Sequence, residues 1–200
     1  MSITLREVQS KSELKEFLYL PWKLYGQEKN WVPPLKLALH EMFSPKHPFY
    51  KNASIKSWIA YQNDRPVGRI SAIINQAHNE FHQEKCGFFG FFDCIDSEEI
   101  AQSLFDRADS FLKEEGMELV RGPMNPSTNY ECGTLVEGFD DPPQIMMTFN
   151  PPYIPGLIEK SGHAKVKDLL AYDIPVDFKM PEKIVNVAQR VERSNNITYR

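Results

Sequence analysis

The sequence has no excess of basic residues and no long apolar run. It contains 23 Lys and Arg against 27 Asp and Glu, which gives a formal net charge of −4. Because proteins that bind nucleic acid neutralise phosphates with clustered Lys and Arg, this balance argues against a nucleic-acid partner. No stretch approaches the length of a membrane span, and the amino terminus is charged where a secretion signal needs apolar residues. We therefore expect a soluble protein of the cytoplasm that does not bind a membrane.

Cysteine is also scarce, and no two of its three copies, Cys86, Cys94 and Cys132, have CxxC spacing. An odd number of cysteines without an export signal predicts free thiols rather than a disulfide framework. Structural metal sites usually pair their ligands at short spacing, so we expect no metal site, although His78 and His82 lie near a predicted loop. The sequence places no histidine beside Cys132, so a nucleophilic role for this thiol is not predicted.

The length of 200 residues, with 42% hydrophobic side chains, suits one well-packed domain. We predict this domain over residues 1–175 and a linker helix over residues 176–196. The final residues Ile197-Thr198-Tyr199-Arg200 echo Ile3-Thr4-Leu5-Arg6. We therefore expect residues 197–200 to open a second, truncated copy of the domain, so that the chain is the first half of a longer protein.

The first half of the predicted domain alternates strands with short helices. A strand over residues 3–8 is followed by a helix that starts after Ser12 and is interrupted by Pro21. A second helix begins at Pro33-Pro34 and stops at Ser44-Pro45. Strand-like residues 55–61 and 67–74 flank the turn formers of residues 63–66 and predict a hairpin. Residues 86–93 are apolar on both faces and predict a strand at the centre of a covered sheet.

The second half begins with the clearest helix, over residues 97–115, because apolar residues recur on one face and Gly116 ends it. Asp96 and Glu99 predict a capping box at its start. A strand over residues 118–121 leads into a Pro- and Gly-rich run, residues 122–143, which is too long for an ordinary connector. A strand over residues 145–149, a helix over 152–161 and a closing strand over 166–174 follow. This order predicts an α/β domain of the α+β layered type, with helices on both faces of the sheet.

The segment Leu157-Ile-Glu-Lys-Ser-Gly-His163 resembles the last helix of the GNAT acyltransferase superfamily. Six further segments resemble a bacterial family of GNAT-like proteins, the YghO-type family: Trp31-Val-Pro-Pro-Leu, Val67-Gly-Arg-Ile, His78-Asn-Glu-Phe-His, Gly87-Phe-Phe-Gly-Phe-Phe, Arg121-Gly-Pro-Met-Asn-Pro-Ser and Gly138-Phe-Asp-Asp-Pro-Pro. The resemblance implies a mixed, mostly antiparallel sheet. It also implies an acetyltransferase activity, with acetyl-CoA or another acyl-CoA as donor and a small-molecule or peptide amine as acceptor. Members of this family are about twice as long, which implies a second GNAT-like domain as partner.

GNAT proteins bind the CoA diphosphate through a glycine-rich loop between the central strand and the long helix, where free amides meet a helix amino terminus. The corresponding residues here, 91–99, contain no glycine and carry Asp93, Asp96, Glu98 and Glu99. These carboxylates would repel a diphosphate, so we expect the usual CoA loop to be absent. The residues that would bind the cofactor therefore stay unassigned.

Two catalytic candidates and five binding candidates emerge. The resemblance implies a tyrosine acid in the last helix, but Ile158 holds that position, which leaves Tyr153 if it lies before the helix. Glu131 is a candidate base for an amine. Five residues are candidates to orient or line an acceptor: Asn125, Ser127, Asn129, Tyr130 and Trp31. The alternatives are that the polar ones only shape turns and that the aromatic ones belong to the core.

Other residues have structural interpretations. Arg121 is expected to pair with a carboxylate of the long loop. His163, which replaces a core phenylalanine of the motif, is expected to pack in the core rather than to act in catalysis. Two functions remain open: an N-acyltransferase of which this chain is the amino-terminal half, and a non-catalytic module that has lost the CoA loop and binds a ligand or steadies a partner domain.

Overall fold

The computed structural model describes residues 2–195, so the predicted echo at residues 197–200 lies outside the described residues. The chain divides into a compact unit that ends at Val166 and a second unit that begins at Lys167. The second unit carries helix α6 (Glu182–Asn195), within the stretch predicted as a linker. The domain boundary at residue 175 and the second domain stay predictions.

The first unit is built on one five-stranded sheet. Its strands are β1 (Ile3–Glu7), β2 (Ala53–Gln62), β3 (Arg65–Asn75), β4 (Cys86–Cys94) and β5 (Leu119–Arg121). They lie in the order of the chain, β1 to β4 are antiparallel, and β5 runs parallel to β4. Asn63 and Asp64, at φ 50° and 59°, form the two-residue turn of the predicted β2–β3 hairpin. Positive φ at both positions matches the right-handed twist of paired strands.

Helices cover both faces of the sheet, as predicted. Helices α4 (Glu98–Glu114) and α5 (Ile154–Lys160) pack on one face, where Trp58, Phe89 and Leu104 share a core. Helix α1 (Lys11–Tyr25) packs on the other face, where Phe17 contacts the cluster of Ile59, Tyr61 and Phe91. Two short helices, α2 (Lys36–Met42) and α3 (Gln76–His82), and a 3-10 turn (Pro48–Lys51) fill the connections. The mixed, mostly antiparallel α/β architecture is therefore confirmed.

Helix α1 continues through Pro21, so the predicted interruption there is wrong. Proline has no N–H for the carbonyl four residues earlier, which here belongs to Phe17. The buried guanidinium of Arg69 supplies the missing donor, because its Nη1 donates to Phe17 O at 2.8 Å. The helix also starts earlier than predicted, since Ser10 is its N-cap and forms a capping box with Glu13.

Helix α4 confirms the predicted stripe, and its start differs from the predicted cap. Ile100, Leu104 and Ala108 are fully buried. Ser97, rather than Asp96, is the N-cap, and its hydroxyl accepts from the Ile100 N–H at 3.4 Å. A serine preceding two glutamates serves the exposed N–H groups as well as the aspartate would.

The predicted strands over residues 145–149 and 166–174 are wrong, because the structure has irregular backbone in both stretches. Ile145 is 94% exposed and Met146 has φ 64°, which a strand does not tolerate. Within the described residues neither stretch pairs with the sheet, whose edge strands are β1 and β5. His78 and His82, expected near a loop, lie on α3, which Asn75 caps. None of the helices within residues 2–195 combines the length and the apolar character that a membrane crossing requires.

Candidate functional site

A β-bulge interrupts β4 where the sheet opens. Ser71 pairs with Gly90 and Arg69 pairs with Asp93, so that Phe91 and Phe92 both lie opposite Ile70. Phe91 takes φ 48° to make this possible. Strand β5 pairs with β4 only over Cys86–Phe88, so the two parallel strands are no longer paired at the bulge. Bulges of this kind often lie beside binding sites.

The chain after β5 closes on the bulge. It forms a two-stranded hairpin, β6 (Met124–Asn125) with β7 (Glu131–Cys132). A Cβ atom at Gly90 would lie 1.7 Å from Met124 O, so only glycine allows this approach. The Asn125 side-chain oxygen accepts from the Phe91 N–H at 2.6 Å. Asn125 was predicted to orient the acceptor substrate. In the structure its side chain binds the backbone of β4.

A buried ion pair lies just beyond the bulge. Arg69 donates to Asp93 from Nε and from Nη2, both at 2.7 Å, and Tyr25 donates its hydroxyl to the other Asp93 oxygen at 2.8 Å. The side chains of Arg69 and Asp93 are 8% and 12% exposed. Burial, followed by the Asp93 charge, raises the pKa of Tyr25 well above its usual value. Sequence analysis missed this network, although charged residues inside the two most apolar strands are a usable signal.

Glu131 and Tyr153, the two predicted catalytic residues, both lie within the electrostatic reach of Asp93. The surrounding protein raises the pKa of the Glu131 carboxyl, and the Asp93 charge adds to this, although part of the Glu131 surface still reaches solvent. Burial likewise raises the pKa of Tyr153, with neighbouring acidic groups such as Asp96 as further causes. Tyr153 stands at the N-cap of α5, before the helix, and its hydroxyl donates to Cys94 O at 2.9 Å.

Trp31 lies at the same place. Its ring contacts Tyr25 with centroids 6.1 Å apart, and Phe149 contacts Tyr25 from another side at 5.7 Å. The neighbouring Asn30 donates to Phe139 O at 2.9 Å, which fastens this loop to the long run of residues 122–143. Trp31 therefore contacts Tyr25, which bonds Asp93, and the Asp93 charge reaches Glu131 and Tyr153.

The other predicted acceptor residues lie elsewhere. Ser127 and Asn129 line a pocket against α3, which also holds His78 and Phe88. Ser127 shapes its own turn as well, because its hydroxyl accepts from the Asn129 N–H at 3.3 Å. The ring of Tyr130 lies 6.2 Å from that of His47. The seven site candidates thus divide between the Asp93 region, the bulge, the α3 pocket and the His47 contact.

The partner predicted for Arg121 is wrong. Its guanidinium binds both oxygens of Glu84, which precedes β4, at 2.5 and 3.0 Å, rather than a carboxylate of the long loop. A hydrogen bond of 2.7 Å also joins a Glu84 oxygen to His78 Nε2. Among residues 2–195, His78, Glu84 and Cys86 form a group whose possible metal-ligand atoms lie within 4.8 Å of one another. Sequence analysis missed this cluster, since the chain leaves α3 between His78 and Glu84 and no helical spacing links them.

Two further expectations are confirmed. All three cysteines have free thiols. His163 packs between the rings of Phe89 and Phe105, with centroids 5.1 and 4.7 Å away. Its Nε2 lies 3.7 Å from Oδ1 of Asp109, a residue of α4.

The turn between β4 and α4 has few free groups for an anion. The Ser97 hydroxyl occupies the Ile100 N–H, Asp93 is neutralised by Arg69, and Glu98 pairs with Lys160. Glu98 and Glu99 both stand in the first turn of α4. The Phe91 N–H of the bulge is already bonded to Asn125. The Ile100 and Phe91 amides are therefore not free to bind a diphosphate, whereas ion pairs compensate the charges of Asp93 and Glu98. The absence of the usual CoA loop stays a prediction.

The chain is similar to two curated proteins, and no model of a protein family matches it. Protein YghO of Escherichia coli (strain K12) is 37% identical over 168 residues, which are 84% of this chain and 43% of YghO. The bacterial ceramide synthase of Caulobacter vibrioides (strain NA1000 / CB15N) is 36% identical over 185 residues, 92% of this chain and 47% of that protein. The chain therefore spans less than half the length of each relative.

Solved structures resemble the chain in fold. An aminoglycoside acetyltransferase, meta-AAC0020, from an uncultured soil metagenomic sample superposes with a TM-score of 0.51 at 10% identity, over 88% of this chain and 97% of that one. A putative acetyl transferase from Pyrococcus furiosus gives a TM-score of 0.50 at 12% identity, over 86% of this chain and 100% of that one. At these identities the likeness concerns the fold alone.

Proposed function

We propose that this chain takes part in acyl transfer from an acyl-CoA to an amine. The premise is that it has the GNAT fold and resembles the YghO-type proteins over most of its length. We propose further that it supplies the acceptor side of the site. The observation that carries this is the gathering of Glu131, Tyr153 and Trp31 around the buried Asp93, beside the bulge of β4. A fold alone does not establish a function, whereas titratable groups with shifted pKa values at a sheet opening favour one.

Each of these residues has a role in the proposal. Glu131 takes a proton from the acceptor nitrogen, directly or through one water, because its raised pKa makes its carboxylate a better base than an ordinary one. Tyr153, a phenol that is protonated at neutral pH, turns its hydroxyl from the Cys94 carbonyl and protonates the CoA thiolate, which leaves as the amine nitrogen bonds to the acyl carbon. Trp31 provides an apolar wall for the body of the amine.

One relative adds a class of amine to the acceptors that the proposal considers. One relative is named a bacterial ceramide synthase, and a ceramide is an amide of a long-chain amine. Long-chain amines therefore join small-molecule and peptide amines as acceptors to be assayed. The proposal places the reaction in the cytoplasm, where acyl-CoA is available.

A second candidate function is a non-catalytic binding module. It is favoured by the occupied donors at the usual CoA position, the Phe91 and Ile100 amides, and by the acidic first turn of α4. Repulsion between unit charges near a protein surface is on the order of 4 kcal/mol at contact distance, so one misplaced carboxylate matters. We expect the 200-residue chain to bind acetyl-CoA weakly or not at all in calorimetry at moderate salt. Saturable micromolar binding with one site per chain would show instead that this half carries the donor site.

We also propose that the reading frame continues past Arg200 into a second GNAT-like domain, because the relatives are more than twice as long as the matched region. A stop codon shortly after Arg200 in the native gene would contradict this. The full gene product is therefore the protein to use for activity measurements.

The activity test follows release of free CoA thiol from acyl-CoA in the presence of each amine class. Glu131→Gln and Tyr153→Phe should each lower kcat/KM by about 100-fold, the usual contribution of one acid–base group. Glu137→Gln, an exposed carboxyl of the same long loop, is the matched control and should leave the rate unchanged. A rate unaffected by Glu131→Gln would exclude Glu131 as the base. Full-length protein that transfers to none of the amines would favour the binding module.

A further inference from the structure

A second pocket lies between α3 and the β6–β7 turn, on the face of the sheet that also carries Phe88. Its volume is about 330 Å³, and six of the residues that line it carry the argument: His78, His82, Phe88, Ser127, Thr128 and Asn129. Among the described residues, those that line the pocket include no Lys, Arg, Asp or Glu. The lining thus offers hydroxyl, amide and imidazole groups beside aromatic faces, and it offers no permanent charge to bind an ion.

His78 is held in one orientation. Its Nε2 lies 2.7 Å from a Glu84 oxygen, and the Arg121 guanidinium holds both Glu84 oxygens in turn. Arg121 and His78 together lower the pKa of the Glu84 carboxyl, which therefore stays ionised. The side chain of Asn79 bonds both the N–H and the C=O of Cys86, at 3.0 and 3.1 Å, and so fixes α3 against β4.

The same contacts determine the tautomer of a neutral His78. An ionised carboxylate can only accept hydrogen bonds, so the Nε2 that faces Glu84 must carry the ring hydrogen. The other ring nitrogen, Nδ1, is then an acceptor. A ligand that meets this nitrogen must therefore donate a hydrogen bond.

The group of His78, Glu84 and Cys86 fits a metal ion poorly, although their possible ligand atoms lie close together. Arg121 places a positive charge on both oxygens that a cation would need. Burial raises the pKa of the Cys86 thiol, which disfavours the thiolate that binds metals. The thiol also donates to the Gly87 carbonyl.

We propose that this pocket is a binding site for an uncharged, hydroxyl-bearing group attached to an apolar body. His78 Nδ1 accepts from a ligand hydroxyl, Ser127, Thr128 and Asn129 bond its remaining oxygens, and Phe88 packs against its apolar part. This proposal goes beyond the acyl transfer proposed above. Its test needs neither acyl-CoA nor turnover, so the two proposals can fail separately.

The first test is made on the unmodified 200-residue chain. Nitrogen-15 NMR of the histidine rings at about pH 8, where an ordinary imidazole is neutral, should show His78 as the Nε2–H tautomer. Glu84→Gln should abolish that preference, because an amide can both donate and accept. An Nδ1–H tautomer of His78 in the unmodified chain would overturn the proposal.

The second test measures binding with three probes of equal chain length. 1,2-Hexanediol should shift the His78 ring signals saturably, whereas hexanoate and hexylammonium should not. Followed on the backbone amide signals of Ser127 and Thr128, which both variants keep, His78→Asn should weaken binding of the diol about fivefold, the effect of one lost hydrogen bond. The control His40→Asn, at a ring that bonds Tyr19 instead, should bind the diol normally. Equal responses to all three probes, a preference for hexanoate, or stoichiometric Zn²⁺ binding through His78 and Cys86 would each overturn the proposal.

Discussion

At the scale of single residues, Arg69 joins helix α1 to the sheet through contacts that no sequence motif predicted. It bonds Asp93 on the neighbouring strand and the Phe17 carbonyl on α1, and it lies over the Phe17 ring with 4.9 Å to the centroid. Its charge is compensated in place, which is what allows a buried arginine. Helix and sheet therefore depend on the same side chain.

We expect Arg69→Ala to lower the free energy of unfolding by about 3–5 kcal/mol, the usual cost of leaving one member of a buried pair alone. Asp93 and the Phe17 carbonyl would both lose their partner. Urea denaturation measures the change. The control is Arg6→Ala, which removes an exposed pair with Asp64 and should cost less than about 1 kcal/mol. A similar cost for both variants would show that Arg69 contributes no more than a surface charge.

Asp109 and His163 form a less satisfied pair. Asp109 Oδ1 and His163 Nδ1 are buried without a hydrogen-bond partner among the described residues. Burial raises the pKa of the Asp109 carboxyl above its ordinary value, and the neighbouring His163 opposes this rise. The folded chain therefore binds more protons than the unfolded chain as Asp109 titrates, so stability falls as the pH rises from about 4 through the folded pKa.

Asp109→Asn should remove that loss, so the variant gains stability relative to the unmodified chain as the pH rises. Denaturation at a series of pH values between about 4 and 7 tests it. Glu114→Gln removes an exposed carboxylate from the same helix as a control. A difference between Asp109→Asn and the unmodified chain that stays constant with pH would contradict the assignment.

At the scale of elements, the most periodic segment was the most predictable. Helix α4 was predicted over residues 97–115 and runs from Glu98 to Glu114, because its apolar spacing leaves one solution. Leu104→Asp should lower the free energy of unfolding by about 4 kcal/mol or more, since it removes a buried side chain and buries an unpaired charge. Ser110→Asp, on the exposed face, is the control and should change little. An unchanged thermal midpoint for Leu104→Asp would show that the assigned face is wrong.

What failed at this scale depended on distant partners. Pro21 was expected to end α1, and only the contact with Arg69, 48 positions away in sequence, explains why it does not. The strands predicted over residues 145–149 and 166–174 do not form: both stretches are irregular, although the described sheet has β1 and β5 as its edge strands. In the site, Glu131 and Tyr153 were proposed from their chemistry and stay predictions, whereas the dyad of His78 and Glu84 has no local pattern. Local spacing predicts an element, and it does not predict which element lies opposite.

At the scale of the whole molecule, the compact unit ends at Val166, before the predicted boundary at residue 175. Leu170, Tyr172 and Ile174 are 72%, 79% and 69% exposed, so this stretch buries little apolar area. We expect a chain shortened to residues 1–166 to unfold at the same temperature as the 200-residue chain, within about 2 °C, because a change of 1 kcal/mol shifts the midpoint of a domain this size by about 2–4 °C. Calorimetry provides the comparison. A clear loss of stability on shortening would place residues 167–175 inside the domain.

The order of the strands along the chain also predicts the order in which they pair during folding. The β2–β3 hairpin closes a loop of only two residues, whereas 45 residues separate the end of β1 from the start of its partner β2. Closing the longer loop costs more chain entropy, so we expect Asn63→Ala to slow refolding and Leu5→Ala mainly to speed unfolding in stopped-flow experiments. Equal effects on both rates would contradict this order. During synthesis the sequence of events is reversed: β1 leaves the ribosome first, and Ile3 and Leu5 remain without a neighbouring strand while α1 and α2 are being made.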